Sequence, residues 1–127
     1  MPTINDLKAF VPARDFSLSR RFYTELGFRE NFAGPDIAEF EMNGFRFLLQ
    51  DFYVADHAGN FMMQMLCDDV APWWHKLSAV VAPRYPGMML KPPAMQPWGL
   101  TVMFFSDPSG VLWHVAEKRQ DPGPSVK

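Results

Sequence analysis

The sequence has little of the chemistry that marks disulfide-bonded, nucleic-acid-binding or membrane proteins. Its one cysteine, Cys67, has no disulfide partner within the chain, and we expect a half-buried thiol there. The formal net charge is −2 without any run of Lys or Arg, which argues against a nucleic-acid partner. No apolar stretch approaches membrane-spanning length, and residues 1–7 lack a signal-peptide pattern. We therefore expect a cytoplasmic protein with neither a nucleic-acid nor a membrane partner.

Familiar catalytic motifs are missing as well. The sequence has no Gly-rich phosphate loop, no paired-cysteine metal motif and no nucleophile elbow, and it predicts no cofactor. Aromatic and thioether side chains are plentiful instead, with 12 Phe, 9 Met and 4 Trp. Methionine adapts to irregular ligands, although it more often fills gaps in a core.

An internal repeat is the most informative pattern in the chain. The stretch 107–110, Asp-Pro-Ser-Gly, fits a type I turn and leads into an alternating strand at 111–117. Asn43-Gly44 leads in the same way into a strand at 45–51. Each turn lies downstream of a segment in which an Asp opens a helix, so the chain reads as two copies of one unit.

Each copy is predicted to contain one helix and four strands. In the first copy Ser17 is expected to cap a helix that ends at Leu26, before Gly27. The second copy has a helix opening at Asp68 and Asp69, and its weakest predicted strand covers 88–90. The other predicted strands are 7–12, 28–32, 36–42, 45–51, 61–66, 100–105 and 111–117. Residues 1–119 are then one domain with halves of about 5–53 and 60–118, and 120–127 form a disordered tail.

Side-chain alternation divides the first hairpin into two faces. One face is apolar and suited to packing under a helix: Ala38, Phe40, Met42, Phe45, Phe47 and Leu49. The other face is mixed: Ile37, Glu39, Glu41, Arg46, Leu48 and Gln50. This mixed face either lines a cavity or is a solvated surface with a cross-strand pair between Glu41 and Arg46.

The order of these motifs resembles the vicinal oxygen chelate superfamily, which includes glyoxalase I, extradiol dioxygenases and bleomycin resistance proteins. The segment from Arg14-Asp15 to Gly27-Phe28 resembles the opening of that family. The stretches 96–99 (Gln-Pro-Trp-Gly), 107–110 and 114–117 (His-Val-Ala-Glu) resemble the bleomycin-binding branch. The resemblance implies an α+β fold in which two βαβββ repeats form a cupped, mixed sheet with helices outside. It also implies a homodimer with clefts between subunits and, often, an exchanged first strand.

Metal-dependent members of that superfamily carry ligands on the first and last strands of each half. The repeat locates the equivalent positions at Lys8, Leu48, Met62 and His114. A divalent catalytic site needs His or carboxylate ligands at most of these positions, and only His114 qualifies. The sequence therefore predicts no metal site.

A metal-free member of the bleomycin-resistance branch is expected to sequester a toxic or antibiotic small molecule in the dimer cleft. The resemblance implies that Trp98 stacks against the ligand. The alternative interpretation is that Trp98 is a loop side chain that caps the core. Glu39 and Glu41 would supply negative potential for a cationic ligand. Alternation places further ligand-binding candidates on the cavity side: Leu48, Met62, Gln64, Leu66, Met103 and His114.

The sequence is also compatible with other functions. The strand at 61–66 carries Gln64 and Leu66 where the bleomycin binders have aromatic residues, which favours a less planar ligand accommodated by Met62 and Met103. One alternative is a metal-dependent lyase or dioxygenase that recruits metal through His114, and Glu39, Glu41 and His114 are candidates for acid–base work. Another is a regulatory module whose cleft stays empty.

Overall fold

The structure, a computed structural model, describes residues 1–118, and the predicted tail lies outside them. The first half contains strand β1 (Phe10–Pro12), helix α1 (Phe16–Leu26) and strands β2 (Arg29–Ala33), β3 (Ile37–Met42) and β4 (Phe45–Gln50). These strands form a four-stranded sheet in the order β1-β4-β3-β2. β1 is parallel to β4, and the other pairs are antiparallel, so the sheet is mixed.

The second half repeats this plan. After a short helix α2 (Ala55–Ala58) come strand β5 (Met62–Cys67), helix α3 (Val70–Lys76), and strands β6 (Leu90–Met95), β7 (Thr101–Ser106) and β8 (Leu112–Glu117). Their order, β5-β8-β7-β6, is that of the first sheet. The predicted α+β fold of two βαβββ repeats is confirmed, with the strands of each repeat in a sheet of their own. Among residues 1–118, no helix is both long and apolar enough to cross a membrane.

Helix α1 begins two residues earlier than a Ser17 cap predicts. Asp15, not Ser17, is the N-cap residue, and its carboxylate accepts a hydrogen bond of 3.0 Å from the Leu18 backbone N–H. Gly27 ends the helix at φ +122°, a conformation that glycine adopts without the steric penalty of a Cβ. The predicted end of the helix is therefore confirmed, and the predicted cap was wrong by two residues.

The first hairpin has the predicted register. Met42 pairs with Phe45, Glu41 with Arg46, and Glu39 with Leu48. Asn43 and Gly44 both have positive φ angles, +54° and +86°, as a two-residue turn of the primed type requires. This register places every second side chain of β3 and β4 on the inner face of the sheet.

Both sheets pack their inner faces on one aromatic core. The Tyr23 ring lies 5.0 Å from the Phe47 ring of the first sheet and 5.8 Å from the Trp113 ring of the second. Phe47 and Trp113 also contact each other directly, with ring centroids 5.7 Å apart. Trp113 is therefore core, as predicted. The outer faces of the two sheets consequently point away from each other.

A buried hydrogen-bond chain crosses this core. The Tyr23 hydroxyl donates to an Asp107 carboxylate oxygen at 2.6 Å and accepts from the Trp113 indole N–H at 3.0 Å. The other oxygen of Asp107 accepts from the backbone N–H groups of Ser109 and Val111 at 2.8 and 2.9 Å. Burial raises the pKa of the Asp107 carboxyl and raises the pKa of Tyr23 strongly. The predicted turn at 107–110 is therefore tied to helix α1 of the other repeat.

Two strand predictions and one core prediction differ clearly from the structure. β1 covers only Phe10–Pro12 of the expected 7–12, and β6 covers Leu90–Met95 and not 88–90. β6 has a register shift between Lys91 and Ala94, where two prolines cannot donate ladder hydrogen bonds. Phe45 was expected in the core but is 79% exposed, because it stands at the turn where β4 begins.

Candidate functional site

The outer face of the first sheet holds a network of alternating charges. The Lys8 ammonium pairs with the Glu39 carboxylate and lies 3.2 Å from Asp6. Arg46 contacts Asp6 at 3.3 Å and Glu41 at 3.8 Å. The residues that precede β1 therefore cross the outer face. They add the Asp6 carboxylate and the Lys8 ammonium to it, which the alternation of the strands does not predict.

A second part of this network lies on β2. Arg29 contacts the Glu41 carboxylate at 3.2 Å, and the Asn31 side-chain amide donates to both Glu39 and Glu41 at 2.8 Å. The predicted cross-strand pair of Glu41 with Arg46 is thus present. Both glutamates have several partners, and Glu39 is buried beneath them.

These partners favour the charged forms of both glutamates. The hydrogen bond from Lys8, followed by that from Asn31, lowers the pKa of Glu39. The hydrogen bond from Asn31 and the nearby Arg29 and Arg46 guanidinium groups lower the pKa of Glu41. Three basic side chains therefore balance the three carboxylates of Asp6, Glu39 and Glu41. Glu39 and Glu41 were expected to supply negative potential, and their pairing with Lys8, Arg29 and Arg46 reduces that potential.

The network predicts a specific pH dependence of stability. A carboxyl group whose pKa is lowered by folding stabilises the protein above its unfolded pKa, and that contribution disappears as the pH falls through the folded pKa. Glu39→Gln should therefore flatten the loss of stability below about pH 4.5. Urea unfolding across this pH range would measure the effect, with Gln64→Ala on the second sheet as a control that keeps the wild-type slope. Equal slopes for Glu39→Gln and wild type would contradict the role of the ion pairs.

The outer face of the second sheet has a different character. Gln64 lies opposite His114, and the His114 imidazole packs edge-on against the Phe104 ring with centroids 4.7 Å apart. Met62 and Leu66, on the same face of β5, are 62% and 56% exposed. The face therefore combines an aromatic–imidazole pair with uncovered aliphatic surface and one amide.

Met103 was assigned to the wrong face. It pairs with Val115 in the register of β7 and β8, which places its side chain with Trp113 and Phe105 on the inner face. It is fully buried there. Val102, Met103 and Phe105 are all buried, so this strand shows no polar–apolar alternation from which its faces could be read. Met103 is a core residue and is not a ligand-binding candidate.

Trp98 is exposed but stands apart from the other candidates. It lies in the turn between β6 and β7, which closes with hydrogen bonds from Gln96 N–H to Leu100 C=O and from Gly99 N–H to Gln96 C=O. Its side chain is 53% exposed, so it does not cap the core of the single chain. The predicted Pro-Trp-Gly bend is confirmed as a turn.

Within one chain the predicted site residues form two groups. Glu39, Glu41 and Leu48 share the outer face of the first sheet, with Glu39 and Leu48 in register. Met62, Gln64 and His114 share the outer face of the second sheet. Each group lies on its own sheet, and the inner faces of the two sheets share one core.

A concavity between the two sheets was not predicted from the sequence. A pocket of about 640 Å³ lies between the β3–β4 turn and β5. Methionine and aromatic side chains dominate its wall, among them Met42, Met63, Met65, Phe45 and Trp73. Of the predicted ligand-binding candidates, Gln64 and Leu66 line it. The sequence feature that could have indicated this pocket is the alternation of Met63 and Met65 along β5, which is an edge strand of its sheet.

The donor set does not fit a divalent metal. Of the four positions equivalent to the metal ligands, Leu48 and Met62 have no suitable donor, and the Lys8 ammonium is paired with Glu39. Within residues 1–118, no group of three His, Cys, Asp or Glu side chains is arranged to hold a metal ion. Of these four positions, only His114 has a side chain that commonly binds a divalent metal.

Two βαβββ modules joined through a common core define the class of fold. Residues 4–115 match the model of the Glyoxalase/Bleomycin resistance protein/Dioxygenase superfamily, and the chain belongs to that superfamily. The resemblance seen in the motifs is therefore confirmed. No curated protein is a significant sequence match.

Solved structures with this fold have different functions. A bleomycin-binding protein from Streptomyces verticillus, complexed with copper(II)-bleomycin, matches with a TM-score of 0.74 and 19% identity, covering 92% of this chain and 100% of that one. TnmS3, an antibiotic-binding protein from Streptomyces sp. CB03234, gives 0.74 and 22%, covering 94% and 100%. Lactoylglutathione lyase from Agrobacterium tumefaciens gives 0.67 and 16%, covering 91% and 95%. At these identities the matches show the fold alone.

Proposed function

We propose that this protein is a homodimer that sequesters a toxic or antibiotic small molecule, without a metal, in clefts between its subunits. The observation that carries the proposal is the arrangement of the two outer faces. They point away from each other within one chain, and both keep uncovered apolar side chains, including Phe10, Phe32, Met62 and Leu66. In the proposed cleft, the outer face of the first sheet of one copy faces the outer face of the second sheet of another.

The chemistry of the two walls suggests the kind of ligand. The second sheet offers the Phe104–His114 pair for contact with a flat ring, and Met62 and Leu66 for apolar groups. The first sheet offers ion pairs that are balanced in charge, so it suits a ligand with polar groups of both kinds better than a strongly cationic one. Trp98, exposed in its turn, is a further stacking surface at the margin of the second sheet.

Sequestration is favoured over catalysis because the donor set does not fit a metal. Two neighbours of the same fold are described as binding bleomycin or an antibiotic, which supports a binding role. The second candidate is a metal-dependent lyase or dioxygenase. Its support is His114, which keeps an imidazole at a ligand position, and the lyase among the structural neighbours.

The proposal predicts dimerisation and a ligand-specific gain in stability. Light scattering coupled to gel filtration should give twice the mass of the chain. In a thermal-shift screen, a bound antibiotic at 100 times its dissociation constant adds about 2.7 kcal/mol to the folded state. Bleomycin and less cationic aromatic antibiotics form the ligand panel, and divalent metals alone form the second panel.

Matched variants locate the binding surface. His114→Ala should weaken the antibiotic shift, whereas His57→Ala, at an exposed position on α2, should leave it unchanged. Trp98→Ala should weaken binding without loss of stability in the absence of ligand. A saturable shift with a metal and none with any antibiotic would refute sequestration and favour the lyase or dioxygenase. A monomer that binds nothing would contradict the cleft itself.

A further inference from the structure

Three arginines surround a second concavity, which lies away from both outer sheet faces. This pocket of about 480 Å³ is bounded by the loop after β1, by α1, and by the segment that follows α3. Arg14, Arg21 and Arg84 line it, and the only other charged lining residue is Asp107. None of these residues is among the candidates for the cleft, so this pocket is independent of the proposed function.

The Asp107 carboxylate does not neutralise the arginines. It is only 3% exposed, and its oxygens accept hydrogen bonds from Tyr23 and from the backbone of its own turn. Because these bonds direct the carboxylate into the core, the lining that faces the pocket is positively charged.

A small frame holds two of the arginines in place. The Arg21 Nε donates to the Tyr85 hydroxyl at 3.4 Å, and that hydroxyl donates to the Glu25 carboxylate at 2.9 Å. The same Glu25 oxygen lies 3.5 Å from Arg84 Nη1. Tyr85 is itself anchored edge-on against the buried Phe22 ring, with centroids 5.1 Å apart. The frame fixes both guanidinium groups while it leaves most of their N–H donors available.

Arg14 is held from the opposite side. Its guanidinium carbon lies 5.6 Å from the centre of the Tyr53 ring, and its backbone N–H donates to the Ser109 hydroxyl at 2.9 Å. Among residues 1–118, neither Arg14 nor Arg21 has a carboxylate within ion-pair distance. The hydrogen bond to Tyr85 raises the pKa of Arg21, and the nearby Glu25 and Asp15 contribute less. Two of the three guanidinium groups therefore have no ion-pair partner among the described residues.

We propose that this arginine pocket binds the phosphate group of a small molecule. One guanidinium satisfies the two oxygens of a carboxylate, whereas a phosphate presents more acceptor oxygens and can be met by guanidinium groups from several directions. The pocket volume falls within the range of small-ligand sites and exceeds what a single phosphate fills, so the ligand carries a further group. Tyr85 and Met88 offer that group an aromatic and a thioether contact.

Isothermal titration with inorganic phosphate, pyrophosphate and succinate tests the site on the full-length protein. We expect saturable binding of pyrophosphate, weaker binding of phosphate, and none of succinate at the same ionic strength. The double variant Arg21→Gln/Arg84→Gln should weaken pyrophosphate binding about tenfold or more, because each lost contact is a charge-assisted hydrogen bond. Arg29→Gln/Arg46→Gln, which removes two guanidinium groups from the first sheet, is the charge-matched control and should change binding less than about twofold.

The variants remove exposed side chains, and their circular dichroism and melting temperatures establish that they are folded. Equal weakening by Arg29→Gln/Arg46→Gln would mean that only the overall charge matters, and it would overturn the site. Absence of saturable pyrophosphate binding to the wild-type protein would overturn it too. His114→Ala should leave pyrophosphate binding unchanged, so failure of the arginine pocket and failure of the proposed cleft can be told apart.

Discussion

Trp113→Ala is expected to lower the free energy of unfolding by about 3–5 kcal/mol, the range for removal of a large aromatic side chain from a core. The Trp113 ring stacks on Phe105 at an interplanar angle of 7° and contacts rings of both repeats, including Phe28 and Phe47. The substitution opens a cavity at the point where the two sheets meet. It also removes the indole N–H that donates to the Tyr23 hydroxyl.

The chain offers a matched control for this prediction. Trp98→Ala removes the same side chain from an exposed turn and should change stability by less than about 0.5 kcal/mol. Urea unfolding, followed by circular dichroism, measures both variants on the same scale. A cost for Trp113→Ala no larger than that for Trp98→Ala would contradict the description of a shared core.

Asp107→Ala is expected to cost about 3 kcal/mol or more. The substitution deprives the Tyr23 hydroxyl and the Ser109 and Val111 backbone N–H groups of their acceptor, and each buried donor left unsatisfied costs about 1–3 kcal/mol. Part of this cost is offset because the wild-type carboxylate is itself buried, which disfavours its charged form. Asp107→Asn keeps an acceptor oxygen for the turn and should cost less than Asp107→Ala.

The raised pKa of Asp107 adds a distinguishing pH dependence. When folding raises the pKa of a carboxyl group, its ionisation costs stability, and that cost is relieved as the pH falls through the folded pKa. The destabilisation caused by Asp107→Asn, relative to wild type, should therefore grow as the pH is lowered from neutral. Urea unfolding from pH 7 to about pH 4 measures this, with the exposed Asp36→Asn as the control. A difference that shrinks at low pH would contradict the assignment.

Much of the fold could be predicted because local signals fix it. A two-residue Asn43-Gly44 turn admits one register, so the faces of β3 and β4 followed directly. Gly27 marked the end of α1 in the same way. Local signals failed where tertiary context decides, as at β6, whose two prolines are tolerated because it is an edge strand with a register shift.

The candidate site was less predictable than the fold. The partners of Glu39 include Lys8, which is distant in the sequence and reaches it only through the path of the N-terminal residues over the sheet. Met103 lies in a strand that is apolar on both faces, so alternation could not assign it. The arginine pocket joins residues from three separate segments, and no spacing rule connects Arg14 with Arg84.

The buried hydrogen bonds that join Tyr23 to Asp107 and Trp113 affect how this protein folds. The two partners lie 84 and 90 positions from Tyr23 along the sequence, so neither repeat contains a complete core of its own. A fragment that ends after β4 would lack both partners of the Tyr23 hydroxyl. Contacts over such separations require the closure of large loops, and the entropy lost in closing them precedes the gain from the contacts. Folding is slower as a result. We therefore expect the two repeats, alike as they are in plan, to fold and unfold in one cooperative transition that neither can undergo alone.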